Sequence, residues 1–146
     1  MRFSNTVTIN RQPVEVFAFL SHFENLPLWN YAIDHTQRSG PGPVGVGTRY
    51  VQSRSIPRPA VETFEVTEFE PNHRLAIHGT LGPFRADSSY QLDAVGDVTV
   101  LTNVMDLEPS GVLGVLASLA GRNVQTAVAA NLGALKSLLE ATPPAT

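Results

Sequence analysis

The sequence has 146 residues, of which 42% are hydrophobic and 16% charged, and this size and composition indicate one globular domain with a core of its own. A net charge of −3 at pH 7, with lysine and arginine scattered, argues against a nucleic-acid partner, because phosphate binding needs a basic surface. The absence of cysteine excludes disulfides, thiolate metal sites and cysteine nucleophiles.

The first segment of the chain alternates polar and apolar residues. Phe3, Val7 and Ile9 have the period of two that is typical of a half-buried strand. This segment also lacks the apolar core of a signal peptide, and the longest apolar stretch, residues 111–121, is too short to span a bilayer. We therefore expect a cytoplasmic protein without stable membrane insertion.

Two short helical pieces follow the first strand. Pro13 suits the first position of a helix, apolar residues come after it at helical spacing, and Pro27 is expected to end the second piece. Beyond them the pattern predicts six strands, separated by turn sequences rich in glycine and proline, at roughly residues 31–38, 46–55, 60–70, 74–80, 83–93 and 98–107. Because these connections are short, neighbouring strands should pair as antiparallel hairpins.

The last element is a long helix. Ser110 is a candidate N-cap, and from Gly111 to Ala141 the apolar period changes to 3.6. One apolar stripe runs along this helix: Leu113, Leu116, Ala120, Val124, Val128, Leu132, Leu135 and Leu139. The predicted fold is α+β, with a seven-stranded antiparallel sheet around a long C-terminal helix and two short helices between strands 1 and 2. We expect residues 1–141 to form a single domain and residues 142–146 to be a flexible tail.

Four segments of this chain resemble a known family. They are "PVEVFAFLSHFENLPLW" (13–29), "GPVGVGTRY" (42–50), "FEVTEFEPNHRLAIHG" (64–79) and "NLGALKSLLEA" (131–141). In order and spacing they resemble the START-like (SRPBCC) superfamily of polyketide cyclases, dehydrases and lipid-transport proteins. The resemblance implies the helix-grip fold and a deep cavity between sheet and helix for sterols, lipids, polyketides or other apolar ligands. It implies no reaction, because members include carriers, sensors, cyclases and interaction proteins.

No motif for a cofactor or a metal is found. "GPGPVG" (40–45) matches G-x-G-x-x-G, but a strand and not a helix follows it, so it indicates a hairpin turn. The four histidines form no ligand pair at metal-binding spacing. We expect neither a cofactor nor a metal.

Strand alternation selects the residues that should face the cavity. Ser88, Tyr90 and Asn103 fall among apolar residues on the inward faces of the last two strands, as in a small-molecule site with a few placed polar groups. The alternative is a filled core in which Tyr90 and Asn103 satisfy each other. Trp29 is either a structural plug at one end of the core or a ligand-facing wall. The predicted wall consists of Trp29, Ile33, Tyr50, Phe64, Ile77, Phe84, Ser88, Tyr90, Asn103, Met105, Leu116, Ala120 and Val124.

Three residues are candidates for acid–base chemistry: His35, Glu62 and Tyr90. His35 alternates with Ile33 and should face the cavity, where an imidazole can exchange a proton near neutral pH. Glu62 shares the parity of inward residues, and a buried carboxylate is costly unless a cation such as Arg49 or Arg122 pairs with it. We therefore expect Glu62 at the cavity rim.

Three functions are compatible with these patterns. The first is binding of a small hydrophobic or aromatic ligand. The second is a cyclase or dehydrase in which Tyr90, His35 or Glu62 moves protons. The third is a regulatory interaction module with a filled cavity. Val112 and Val115 are left over from the helix stripe, which suggests a homodimer contact or a ligand gate.

Overall fold

The structure, a computed structural model, describes residues 1–82, 84–109, 114–141 and 143, without the side chains of residue 109 and residues 114–122. The strands are β1 (Arg2–Ile9), β2 (Ile33–Ser39), β3 (Arg49–Arg54), β4 (Ala60–Glu70), β5 (Arg74–Leu81), β6 (Phe84–Val95) and β7 (Val98–Pro109). The helices are α1 (Pro13–Ser21), α2 (Leu26–Trp29) and α3 (Gly114–Ala141), with a 3₁₀ turn at Phe23–Asn25. The predicted N-cap Ser110, the helix residues before 114 and nearly all of the predicted tail lie outside the described residues.

The seven strands form one antiparallel sheet in the order β1-β7-β6-β5-β4-β3-β2. Each strand pairs with its neighbour in sequence except β1, which closes onto β7, so short turns set most of the register. The turn predicted at residues 40–45 contains Gly40 and Gly42 at φ 95° and 104°, a conformation that favours glycine. The predicted α+β fold is confirmed.

The long helix α3 covers the concave face of the sheet. Leu132, Leu135 and Leu139 are buried against it, together with Ile9, Leu75 and Leu101 from the strands. The apolar stripe predicted for the C-terminal helix is therefore the packing face, as far as its side chains are described. None of the helices within the described ranges is long and apolar enough to cross a membrane.

The short helices seal one end of the sheet, and Pro27 behaves differently from its prediction. It does not end the second helical piece but lies in the first turn of α2, where a missing N–H removes no hydrogen bond. Helix α2 ends instead at Trp29, and the Asn30 N–H bonds to the Leu26 carbonyl at 2.8 Å. Trp29 consequently lies in a helix, 6% exposed.

A β-bulge in β2 overturns the prediction for His35. Ile33 pairs with Arg54, but His35 pairs with Ser53, so Asp34 is an extra residue on its strand. The extra residue reverses the alternation after it, and Thr36 instead of His35 points inward. His35 is exposed on the outer face of the sheet and does not border the cavity between the sheet and α3.

Candidate functional site

A cavity of about 370 Å³ lies between the sheet and α3. Its floor is formed by inward residues of β3 to β7 and its roof by one face of α3, with Val124, Ala127 and Val128. Helix α2 closes one end with Leu26 and Trp29. A volume of this size, with mainly apolar walls, is that of a site for a small organic molecule.

The opening of the cavity is framed by the α2–β2 turn, the β3–β4 loop and the β5–β6 turn. Tyr31 and Ile56 belong to the wall and are 58% and 45% exposed, which places them at the mouth. Leu81 and Gly82 border the same opening. The mouth is thus lined largely by apolar groups on these connections and at the end of β5.

Most of the predicted wall residues border the cavity. Those from α2 and the strands are Trp29, Phe64, Ile77, Phe84, Ser88, Tyr90, Asn103 and Met105, and Val124 from α3 joins them. Trp29 also belongs to the main core cluster, so it both packs in the core and borders the cavity. Leu116 and Ala120 fall among side chains outside the description.

Two predicted wall residues are in the core instead. Ile33 is 3% exposed and Tyr50 is fully buried, and neither borders the cavity. Tyr50 stacks on Phe64, with ring centroids 5.0 Å apart, and Phe23 meets both rings edge-on. Phe64 therefore separates Tyr50 from the cavity, which strand parity alone does not reveal. Burial, with the nearby Glu24 carboxylate, raises the pKa of the Tyr50 phenol.

A first polar group on the wall is centred on Asn103. Its Nδ2 donates to the Ser88 hydroxyl at 2.9 Å and to the Ser89 carbonyl at 3.1 Å. Tyr90 and Asn103 do not satisfy each other; Ser88 is the partner of Asn103. The Asn103 Oδ1 is buried and has no hydrogen-bond partner, and the same is true of Asn131 Oδ1 on the roof. A buried acceptor without a donor destabilises the protein by about 1–3 kcal/mol.

Tyr90 lies next to this group and keeps its proton. Burial raises the pKa of its phenol, an effect that the neighbouring Ser88 hydroxyl partly opposes. At neutral pH the phenol is therefore available as a hydrogen-bond or proton donor and not as a base.

A second polar group is centred on Glu62, which the structure places inside the protein and not at the rim. Glu62 is 3% exposed, and its Oε1 accepts hydrogen bonds from Arg54 Nε at 2.9 Å and Gln52 Nε2 at 3.0 Å. Its Oε2 accepts from the Gly82 N–H at 2.5 Å. Among the described side chains, the cation that pairs with it is Arg54, and Arg49 contacts the outward Glu65 instead, at 4.0 Å. The side chain of Arg122, the other predicted partner, lies outside the description. With both oxygens engaged, Glu62 is poorly suited to act as a free base.

Arg54, Gln52 and Asn131 border the cavity but were missing from the predicted wall. All three are buried, and Arg54 Nη2 and Gln52 Oε1 each lack a hydrogen-bond partner. The sequence does indicate two of them, because Gln52 and Arg54 lie two and four positions after Tyr50 and therefore share the strand face that is predicted to point inward. The polar character of these two side chains argues against an inward position, since charged and amide side chains are mostly exposed.

The comparisons with known proteins agree with this geometry. The family model described as "Polyketide cyclase / dehydrase and lipid transport" matches residues 1–140. The chain belongs to this family. The predicted START-like (SRPBCC) resemblance is therefore confirmed. No curated protein sequence matches the chain significantly.

Three solved structures illustrate the similarity of fold. An aromatase/cyclase, Zhui, from Streptomyces sp. R1128 aligns with a TM-score of 0.83 at 11% identity, over 96% of this chain and 93% of the other. TTHA0849 from Thermus thermophilus aligns with a TM-score of 0.80 at 17% identity, over 97% and 98%. A START superfamily protein from Mycobacterium smegmatis aligns with a TM-score of 0.73 at 20% identity, over 95% and 97%. At these identities the likeness concerns the fold.

Proposed function

We propose that this protein binds a small hydrophobic or aromatic molecule in the cavity between the sheet and α3. The cavity itself carries the proposal, because a chain without a ligand would gain stability by closing an apolar space of about 370 Å³. Residues of its wall also carry buried polar atoms without hydrogen-bond partners, and a ligand with oxygen or nitrogen atoms would satisfy them once these side chains turn toward it, which supports the same proposal. Membership of a family described by polyketide cyclisation and lipid transport fits such a ligand.

A matched pair of variants tests the proposal. Ala127 borders the cavity, whereas Ala130 is exposed on the same helix, so Ala127→Phe fills the cavity and Ala130→Phe does not. Native mass spectrometry, with organic extraction of any hydrophobe that co-purifies, identifies ligand classes. Isothermal titration calorimetry with the extracted compound, or with anthracene-2-carboxamide as a probe, then compares the variants. We expect binding to wild type and Ala130→Phe and at least a tenfold loss in Ala127→Phe; equal binding by both variants would place the ligand elsewhere.

A second candidate function is cyclisation or dehydration of a polyketide-like substrate. Tyr90 favours it, because its protonated phenol lies on the cavity wall beside Ser88 and can donate to a carbonyl oxygen that develops negative charge. Turnover of a linear poly-β-ketone analogue, followed by mass spectrometry as loss of water, tests this function. Loss of turnover in Tyr90→Phe with unchanged binding would support it, whereas equal turnover in the two proteins would remove Tyr90 from the reaction.

A further inference from the structure

The Glu62–Arg54 pair gives one wall of the cavity an unusual electrostatic character. Arg54 is 9% exposed and Glu62 3%, and their charged groups are 2.9 Å apart. Arg54 borders the cavity and Glu62 lies directly behind it, bonded also to Gln52 and to the Gly82 N–H at the mouth. Together the two side chains have no net charge.

This neutrality matters because both charged side chains are buried in the protein. A buried charge without a partner is costly, and in this wall the positive charge of Arg54 is already paired. An anionic ligand group beside Arg54 would also lie near the Glu62 carboxylate, so attraction to one is offset by repulsion from the other. It would then lose its hydration without adequate compensation.

A neutral ligand group would interact with this wall through hydrogen bonds alone. Arg54 Nη2 is a buried donor without a partner, and Gln52 Oε1 is a buried acceptor without a partner. Both residues extend from the same face of β3, two positions apart, and both are held by Glu62 Oε1. An uncharged group that both accepts and donates, such as a carboxamide or a hydroxyketone, would satisfy them at no cost in net charge once the two side chains turn slightly toward the cavity that their residues border.

We propose that Glu62 is a specificity-determining residue that makes the cavity select uncharged, oxygen-bearing ligands over carboxylates by neutralising Arg54. This inference rests on the proposed function and adds the chemical class of the ligand. Glu62 acts through Arg54 and Gln52 and is a positioning residue for them. Its removal would leave the Arg54 charge unpaired at the cavity wall and reverse the preference of the site.

The test compares two probes of nearly equal shape and different charge. Anthracene-2-carboxamide is neutral at pH 7, and anthracene-2-carboxylate is anionic. Their dissociation constants are measured by fluorescence titration with wild type, Glu62→Gln and Glu65→Gln. Glu65 is the matched control, because it lies on the same strand, points outward and contacts only the exposed Arg49 among the described ion pairs.

We expect wild type and Glu65→Gln to bind the carboxamide at least tenfold more tightly than the carboxylate. In Glu62→Gln the carboxylate should bind at least as tightly as the carboxamide. Equal binding of both probes by wild type, or an unchanged preference in Glu62→Gln, would overturn the inference and leave the proposed function intact. Binding of neither probe to wild type would count against the proposed function itself, and the inference would fall with it.

A double variant keeps the inference testable if Glu62→Gln does not fold. Arg54→Met with Glu62→Leu removes both charges in similar volumes, a replacement that folded proteins often tolerate. Its wall is again neutral, so it should still reject the carboxylate, while its affinity for the carboxamide falls toward that for anthracene. Tight carboxylate binding by this variant would overturn the inference.

Discussion

Gly79 lies where two strands of the cavity floor leave no room for a side chain. It borders the cavity in β5 and pairs with Phe64 of β4. A Cβ added at Gly79 would lie 2.3 Å from the Thr63 carbonyl oxygen and 2.7 Å from the Phe64 Cα, whereas real Cβ contacts essentially never fall below 3.0 Å. These obstacles are largely backbone atoms, so Gly79→Ala must push β4 and β5 apart by about 0.7 Å, the difference between 2.3 and 3.0 Å.

We expect Gly79→Ala to lower the free energy of unfolding by about 3 kcal/mol, the upper part of the range for overpacking, because a backbone cannot rotate away as a side chain can. For a chain of this length that corresponds to a fall in Tm of about 10 °C. Gly133→Ala is the control, since nothing lies within 4 Å of its added Cβ on the exposed side of α3. It should raise the stability by up to about 1 kcal/mol, because alanine is the better helix former.

Urea denaturation, followed by circular dichroism, measures both variants in parallel. A shift of the midpoint with an unchanged slope would indicate a true change in stability. A loss below about 0.5 kcal/mol in Gly79→Ala would refute the reasoning, because it would show that the strands separate freely at this point.

Two further predictions concern titration. Because burial raises the pKa of Tyr50 and Tyr90, spectrophotometric titration should show much less tyrosinate in the folded protein than in urea at the same pH slightly above 10. The folded state holds these protons more tightly, so their contribution to stability is present at neutral pH and is lost as pH rises above about 10. Coincident titration curves for the folded and unfolded protein would contradict this prediction. The pKa of the Glu140 carboxyl is lowered, first by the hydrogen bond from the Asn10 N–H and then by Lys136. The contribution of Glu140 to the stability of the fold is therefore present above pH 4.5 and is lost as pH falls below that value. Glu140→Gln should make stability fall less steeply with decreasing pH in the acid range, and an unchanged acid dependence would rule out this cause.

The fold was predictable because each strand and helix is specified by local patterns. Alternation placed Phe64, Tyr90 and Asn103 on inward faces, and a stripe of period 3.6 placed Leu135 against the sheet. Turn sequences rich in glycine and proline limited the connections to hairpins. Length, period and turn chemistry act within a few residues along the chain, so the sequence alone carries them.

The site depended on contacts between segments far apart in the chain. One bulge at Asp34 reversed the parity of β2 and turned His35 outward, and a bulge has no simple signature in the residue pattern. Stacking between Phe64 and Tyr50 decided which aromatic ring reaches the cavity. Strand alternation predicts that Glu62 points inward, but only the pairing of β3 with β4 shows that Arg54 is its partner. The sequence thus determined which faces meet. The tertiary structure decided which polar groups on those faces satisfy each other, because a hydrogen bond requires a short distance between two atoms, and residues far apart in the sequence come that close only in the folded chain.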